Sequence, residues 1–333
     1  MDNWLTLETR NLRQSWQKYD QHILMDYLVQ DVEDPRINVP SILTRHYLLR
    51  QLFPGCYDYD YLMDQEIRFA LAVNWLRKLL KTPIRSEQLR SIVYALGEGQ
   101  SAAGEILIPR FLRETFSALK FPNYMCYLFG YAPVETVELP IPEYILNTFQ
   151  KIWREILEQQ PGQTISVLEP ACGSANDYRF LHTFGIARFL DYTGFDLCEK
   201  NIHNARHLFA AADFRVGNVL AMDFPDQSFD YCFIHDLFEH LSVPAMEVAV
   251  SEICRVTRQG IVIGFFNMQD IALHQVQPVA SYHWNILSLA RTREMFTARA
   301  AAVRVIPISS WLASKFHFQE THNPHAYAFY VEL

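Results

Sequence analysis

From residue 164 onward the chain repeats one unit: a short apolar run, a tight turn, then an amphipathic helix. Apolar runs fall at residues 164–168, 189–195, 213–216, 229–234 and 260–266, and helical periodicity fills 199–212 and 243–255. Alternation of this kind calls for βαβ crossovers, which lay parallel strands into a sheet covered by helices on both faces. Strands buried on both sides read as near-continuous apolar runs, as 164–168, 229–234 and 260–266 do, whereas 213–216 carries only Phe214 and Val216. Two later runs, 301–308 and 326–333, are expected to pair antiparallel at one edge. The predicted fold class is α/β: a doubly wound, mostly parallel sheet with an antiparallel final strand.

Residues 1–135 have a different texture, mostly helical and rich in aromatics. In 62–80, Leu62, Ile67, Leu71, Trp75 and Leu79 fall on one broad face. A second helix is expected over 86–96, capped by Ser86, and a third over 106–119. Pro122, Gly130, Pro133, Pro140 and Pro142 then mark a junction, followed by an expected helix at 145–159. This divides the 333-residue chain into an N-terminal helical domain, 1–135, and a ligand-binding domain, 136–333. The first would serve as a lid or as the contact of a homodimer.

Composition narrows the function classes. Half of the chain is hydrophobic and 20% is charged, enough to build a core and too apolar for disorder. The formal net charge is -8 and no Lys/Arg run occurs, which argues against a nucleic-acid partner. No apolar run approaches the roughly 18 residues of a membrane span, so no membrane partner is expected. The six cysteines include no C-x-x-C pair, and the opening residues lack a signal-peptide pattern. The cytoplasm is the expected compartment.

In a doubly wound sheet, ligands bind at the carboxyl ends of the strands near the switch in strand order. Four segments fall at such ends. The first is Val167-Leu-Glu-Pro-Ala-Cys-Gly-Ser-Ala-Asn176, a strand running through small residues into a helix. Its small residues admit a ligand close to the backbone, and the helix N-terminus offers N–H groups to a carboxylate. Glu169 can pair with an ammonium group, so an amino-acid ligand suits the segment. The second, Tyr192-Thr-Gly-Phe-Asp196, ends in an acid able to accept both hydroxyls of a ribose. In the third, Val216-Gly-Asn-Val219, Asn218 offers a donor and an acceptor to an adenine edge, or else builds a turn. The fourth, Phe229-Asp-Tyr-Cys-Phe-Ile-His-Asp236, presents His235 and Asp236, while Glu239 and His240 anchor the segment after it.

In this order the four segments resemble the class I S-adenosylmethionine-dependent methyltransferases, over about residues 142–333. The resemblance implies a Rossmann-like methyltransferase core with S-adenosyl-L-methionine as cofactor. It implies that Glu169, Ala171 and Gly173 hold the methionine end, Asp196 the ribose, and Asn218 and Val219 the adenine, with His235 beside the cofactor. The family's usual turn is G-x-G-x-G; here Pro170 or Ala171 and Ala175 stand in place of outer glycines.

The expected activity is methyl transfer to oxygen, nitrogen or carbon of a small molecule. A hydroxyl or protonated amine acceptor must lose a proton, and histidine suits that task. His235 is the first candidate base and His283 the second. Asp236, Tyr282 and Trp284, with Phe265 and Phe266, are expected to face the acceptor. His235, Asp236, His274 and His283 carry no dedicated ligand motif, and no metal is expected. Two alternatives remain: an NAD(P)-dependent oxidoreductase, which would want G-x-G-x-x-G where the chain has Ala171, Gly173 and Asn176, and a non-catalytic binding module of the same fold.

Overall fold

The computed structural model describes residues 34–80, 85–110, 112–113, 143–279, 282–320 and 323–333. Three helices come first: α1 (Val39–Leu52), α2 (Tyr59–Leu80) and α3 (Ser86–Gly97). After α4 (Thr148–Glu158) the alternating part begins with β1 (Ile165–Pro170), α5 (Asn176–Thr183), β2 (Leu190–Asp196), α6 (Glu199–Leu208) and β3 (Asp213–Val216). It continues through β4 (Phe229–His235), α7 (Val243–Val256), β5 (Thr257–Phe265), α8 (Leu289–Thr297), β6 (Ala302–Pro307), α9 (Ile308–Phe316) and β7 (Tyr327–Glu332).

Seven strands form one sheet in the order β6-β7-β5-β4-β1-β2-β3. β1 pairs parallel with both β2 and β4, and β7 lies antiparallel to β5 and to β6. The α/β expectation and its antiparallel final strand are therefore met. The order reverses at β1, so the crevice at its carboxyl end, between β2 and β4, is where a ligand fits.

The alternation of side chains divides the core. Val167, Tyr231, Phe233 and Val262 face one side, packed with Leu48, Leu49 and Leu52 of α1, Trp153 of α4 and Leu181 of α5. Leu168, Cys232, Ile234, Ile261 and Ile263 face the other, packed with Ala249, Val250 and Ile253 of α7 and Phe296 of α8. A third cluster joins Ile42 and Leu43 of α1 and Ile67 and Leu71 of α2 to Leu312 of α9 and Ala328 of β7. The helices before residue 135 thus share their core with the sheet. α1 lies directly on one sheet face, with Asn38 accepting from the Ser41 amide at 3.1 Å as its cap.

Several local expectations need correction. The helix expected over 106–119 begins as a β-hairpin, Ala102–Ala103 paired with Ile106–Leu107, because Gly104 takes φ +62° in its turn. Helical geometry starts only at residue 110, and 114–119 lie outside the described residues, as does the junction at 121–142. Ser86 is the first helical residue of α3 rather than its cap; the Gln88 side chain instead accepts from the Arg85 amide. The helix expected over 145–159 is split at Asn147 into Glu143–Leu146 and α4. α6 stops at Leu208, short of 212, where Phe209 leaves helical geometry at φ -136°.

Candidate functional site

The turn after β1 is built from left-handed residues. Ala171 (φ +57°), Gly173 (φ +54°) and Ala175 (φ +68°) alternate in it, so two of the three carry a Cβ into a region that disfavours one. Such residues each cost on the order of 1–3 kcal/mol and persist where the surroundings hold them. Here the Cys172 amide donates to the Phe195 carbonyl and the Ala175 amide to the Cys172 carbonyl, both at 3.0 Å. A Cβ on Gly173 would meet nothing within 4 Å, so this backbone faces open space.

Asp196 at the end of β2 closes onto that turn. Its Oδ2 accepts from the Gly173 amide at 3.0 Å, and its Oδ1 accepts from the Cys198 amide at 2.8 Å and from Asn201 Nδ2 at 3.3 Å. Burial raises the carboxyl of Asp196, and the bonds from Cys198 and Gly173 work against that rise. The two segments expected to clasp one ligand are in direct contact.

Glu169 is buried on the same face and accepts from the Tyr192 hydroxyl. Burial pushes its carboxyl well above the usual range, and the negative charges of Asp177 and Asp196 push it further. At the start of α5, Asn176 Oδ1 is buried without a hydrogen-bond partner. An acidic set with an orphaned acceptor fits a ligand that brings positive charge and N–H donors, as the ammonium and sulfonium of S-adenosylmethionine do.

At the end of β4, His235 lies between two elements. Its Nδ1 is 3.0 Å from Asp177 Oδ2 on α5, and its Nε2 is 3.0 Å from Thr44 Oγ1 on α1. The ring covers Gly264, its partner on β5; a Cβ there would stand 2.6 Å from His235 Cδ2. With Asp177 accepting Nδ1–H, Nε2 is left as the proton-accepting nitrogen.

Beside this lies a rigid wall. Fully buried Glu239 accepts from the Phe266 and Asn267 amides through Oε1, at 2.8 and 3.2 Å. Buried Asn285 donates to the Leu241 carbonyl at 2.6 Å and accepts from the Gln277 amide at 3.1 Å. On this base Trp284 packs against Phe266 and His240, with ring centroids 5.0 and 5.4 Å apart. Trp284 remains 43% exposed, so its face is open to a ligand.

The other expected residues divide as follows. Asn218 Oδ1 accepts from the Leu220 amide at 3.0 Å, so it does build a turn, and buried Val219 packs with Leu168 and Phe195. Asp236 is exposed, in the left-handed region at φ +54°, its amide bonded to the Gly264 carbonyl. His283 joins the wall through its carbonyl, which accepts from His240 Nδ1 at 3.1 Å, while its own Nδ1 is buried without a partner. Tyr282 precedes it in a short strand paired with Val279. Phe265 belongs to the core against Phe238 and Phe329, not to a pocket lining. His274 accepts from the Ser288 amide instead of joining His235 and His283, and among the described residues no three His, Cys, Asp or Glu side chains gather as metal ligands.

Sequence reasoning missed Asp177, Gly264 and Thr44. Asp177 stands eight residues past Glu169, directly after the first segment, and a carboxylate in the first turn of a helix facing a strand-end histidine was the available signal. Nothing in the sequence brings Thr44 to His235, 191 positions away.

The fold is Rossmann-like, with the candidate site at the ends of β1, β2 and β4. Residues 168–264 match a family model described as a methyltransferase domain. That stretch is similar to the S-adenosylmethionine-dependent methyltransferases, whose cofactor is S-adenosylmethionine. A curated relative, the fatty-acid O-methyltransferase of Mycolicibacterium smegmatis, is 30% identical over 147 residues, 43% of this chain. The chain spans about half the length of that relative, the match covering 51% of it. Among solved structures, an S-adenosylmethionine-dependent methyltransferase from Methanosarcina mazei aligns with TM-score 0.41 at 12% identity, covering 53% of this chain and 96% of that one. Another from Mesorhizobium loti aligns with TM-score 0.40 at 11% identity, covering 55% and 96%. No helix among the described residues is long and apolar enough to cross a membrane.

Proposed function

We propose that this chain transfers a methyl group from S-adenosylmethionine to an oxygen of a small-molecule acceptor, with His235 as general base. The observation that carries the reading is the joined strand-end site, in which the Gly173 amide is bonded to Asp196 with Glu169 and the Asp177–His235 pair beside them. Glu169, Ala171 and Gly173 hold the amino-acid end. Asp196 takes the ribose hydroxyls, and Asn218 and Val219 meet the adenine. When bound, S-adenosylmethionine supplies an electrophilic methyl carbon on a sulfonium.

The chain's own residues then handle position and proton. Asp177 fixes the ring of His235, leaves Nε2 to take the acceptor's proton, and offsets the charge that results. Trp284 and Phe266, with Tyr282 and Asp236, hold the acceptor against the methyl carbon; orientation of this kind supplies up to about 7–11 kcal/mol in ideal cases. His283 is the second candidate base. Cys172, Cys198 and Cys232 are buried free thiols, which suits a reducing, cytoplasmic setting.

A second reading, a carboxylate acceptor on an alkyl chain, is supported by the exposed apolar Leu273, Val276, Val279 and Trp284 between β5 and α8. The named substrate of the curated relative points the same way. A carboxylate is already ionised at neutral pH and needs no base, so the two readings separate in one experiment. Calorimetry against S-adenosylmethionine and NADH comes first; binding of NADH alone overturns both. Transfer of labelled methyl to hydroxylated compounds that is lost in His235→Ala supports the first reading. Transfer to long-chain carboxylates that survives His235→Ala supports the second.

A further inference from the structure

Thr44 lies on α1, 191 residues before His235, yet its hydroxyl oxygen is 3.0 Å from His235 Nε2. α1 runs along the sheet face so that Thr44 meets the carboxyl end of β4, while Gln51 Oε1 accepts from the Tyr231 hydroxyl nearer its amino end at 3.1 Å. The placement is fixed by the two residues that follow. Arg45 and His46 both bond buried Glu66 of α2, at 2.6 and 2.8 Å, and Trp153 Nε1 of α4 donates to the same carboxylate at 3.2 Å. The Arg45 guanidinium also lies 4.1 Å from the centre of the Phe184 ring, just past α5. A buried, multiply bonded anchor therefore sets the height of Thr44 above the ring.

The geometry points to Thr44 as a positioning residue for His235: its hydroxyl donates to Nε2 in the resting protein, holds that nitrogen unprotonated until the acceptor hydroxyl takes its place, and fixes the ring across Gly264 between α1 and α5. This rests on the reading of His235 as the base. Asp177 already accepts Nδ1–H, so a hydroxyl at Nε2 has one role open to it, that of donor. A hydrogen bond to the neutral form of a titrating group favours that form. Thr44 thus opposes the Asp177 carboxylate, which favours the imidazolium. Further acids at these strand ends are Glu169 on β1, whose carboxyl responds to Asp177, and Asp236, next to His235 in the chain. On β5 its register partner is Gly264, which has no side chain. The region before residue 135 therefore supplies part of the active-site machinery as well as cover.

The test needs no acceptor. The ring of His235 is titrated by NMR in the full chain, its signals assigned by their loss in His235→Gln. In Thr44→Val, which keeps the shape and removes the hydroxyl, the His235 midpoint is expected to rise by about half to one pH unit, the worth of one neutral hydrogen bond. Thr44→Ser is expected to restore the wild-type midpoint. If Thr44→Val does not fold, Thr44→Ala takes its place, with the same rise expected. A midpoint unchanged in the hydroxyl-free variant, or raised equally in Thr44→Ser, overturns the assignment. S-adenosylmethionine binding is measured alongside: its absence in the wild type defeats the methyltransferase reading, whereas binding with an unmoved titration defeats only the role of Thr44.

Discussion

The Gly173 amide donates to Asp196 Oδ2 at 3.0 Å, so the turn that follows β1 and the acid that ends β2 form one unit. The carboxylate holds Gly173 at φ +54° and remains able to accept from a ligand through its other lone pairs. Asp196→Ala is expected to weaken S-adenosylmethionine binding about 10- to 100-fold, the worth of hydrogen bonds to a charged acceptor. Asp196→Asn, which keeps one carbonyl oxygen, is expected to lose less. Calorimetry reads both, and affinity unaltered in the alanine variant would remove the ribose assignment.

Gly264 makes a separate test of the base. A methyl group there would sit 2.6 Å from His235 Cδ2, with no room to give between the ring and the strand. Gly264→Ala is expected to push the ring away from Asp177 and Thr44 and to cut methyl transfer at least about 100-fold, the lower range of general-base catalysis. Cofactor affinity should change by no more than a few fold, because Asp196 lies on β2 and Gly173 in the turn after β1. Turnover at the wild-type rate would show that His235 is not the base.

Much of this was legible in the chain, for identifiable reasons. β1, β4 and β5 were recognisable because burial on both faces leaves near-continuous apolar runs, whereas β3 over Asp213–Val216, with only Phe214 buried, coincides with its expected bounds on a much thinner signal. The joining of Gly173 to Asp196 followed from their places at adjacent strand ends. What stayed hidden depends on contacts distant in sequence. The hairpin at 102–107 overrode a helical pattern through one left-handed glycine. The packing of Leu48, Leu49 and Leu52 in one cluster with Val167 and Phe233 is encoded by no local pattern. The Thr44–His235 contact is of the same kind.

Glu239 gives the wall a dependence on pH. Burial and then the charge of Asp236 raise its carboxyl to about 8, against the bonds it accepts from Asn267 and Phe266. The unfolded chain releases this proton near pH 4.3 and the folded one only near the raised value. Between those values the native state holds more protons than the unfolded state, so stability falls as pH rises through that window and levels off above it. Glu239→Gln keeps the acceptor oxygen for Phe266 and Asn267 and removes the ionisation. Urea unfolding at pH 5 and pH 9 should show the wild type losing stability relative to this variant as pH rises. Parallel behaviour of the two proteins would mean that Glu239 is ionised in the fold.

The anchor under α1 has the opposite sign. Burial alone would raise the carboxyl of Glu66, but Arg45 and His46 outweigh it and hold it down at about 2. Its contribution to stability is therefore complete above the usual carboxylate range and is lost as pH falls toward that value. Glu66→Ala leaves the Arg45 guanidinium, only 3% exposed, without its carboxylate, a change that costs about 3–5 kcal/mol when a buried pair is broken. Chemical denaturation at pH 7 should show that loss, and the deficit relative to wild type should shrink as the solution is taken toward pH 2. Because α1 carries Thr44, the His235 midpoint should also rise in whatever fraction of Glu66→Ala remains folded. A variant as stable as wild type at neutral pH would mean that hydrophobic packing alone holds α1 against the sheet.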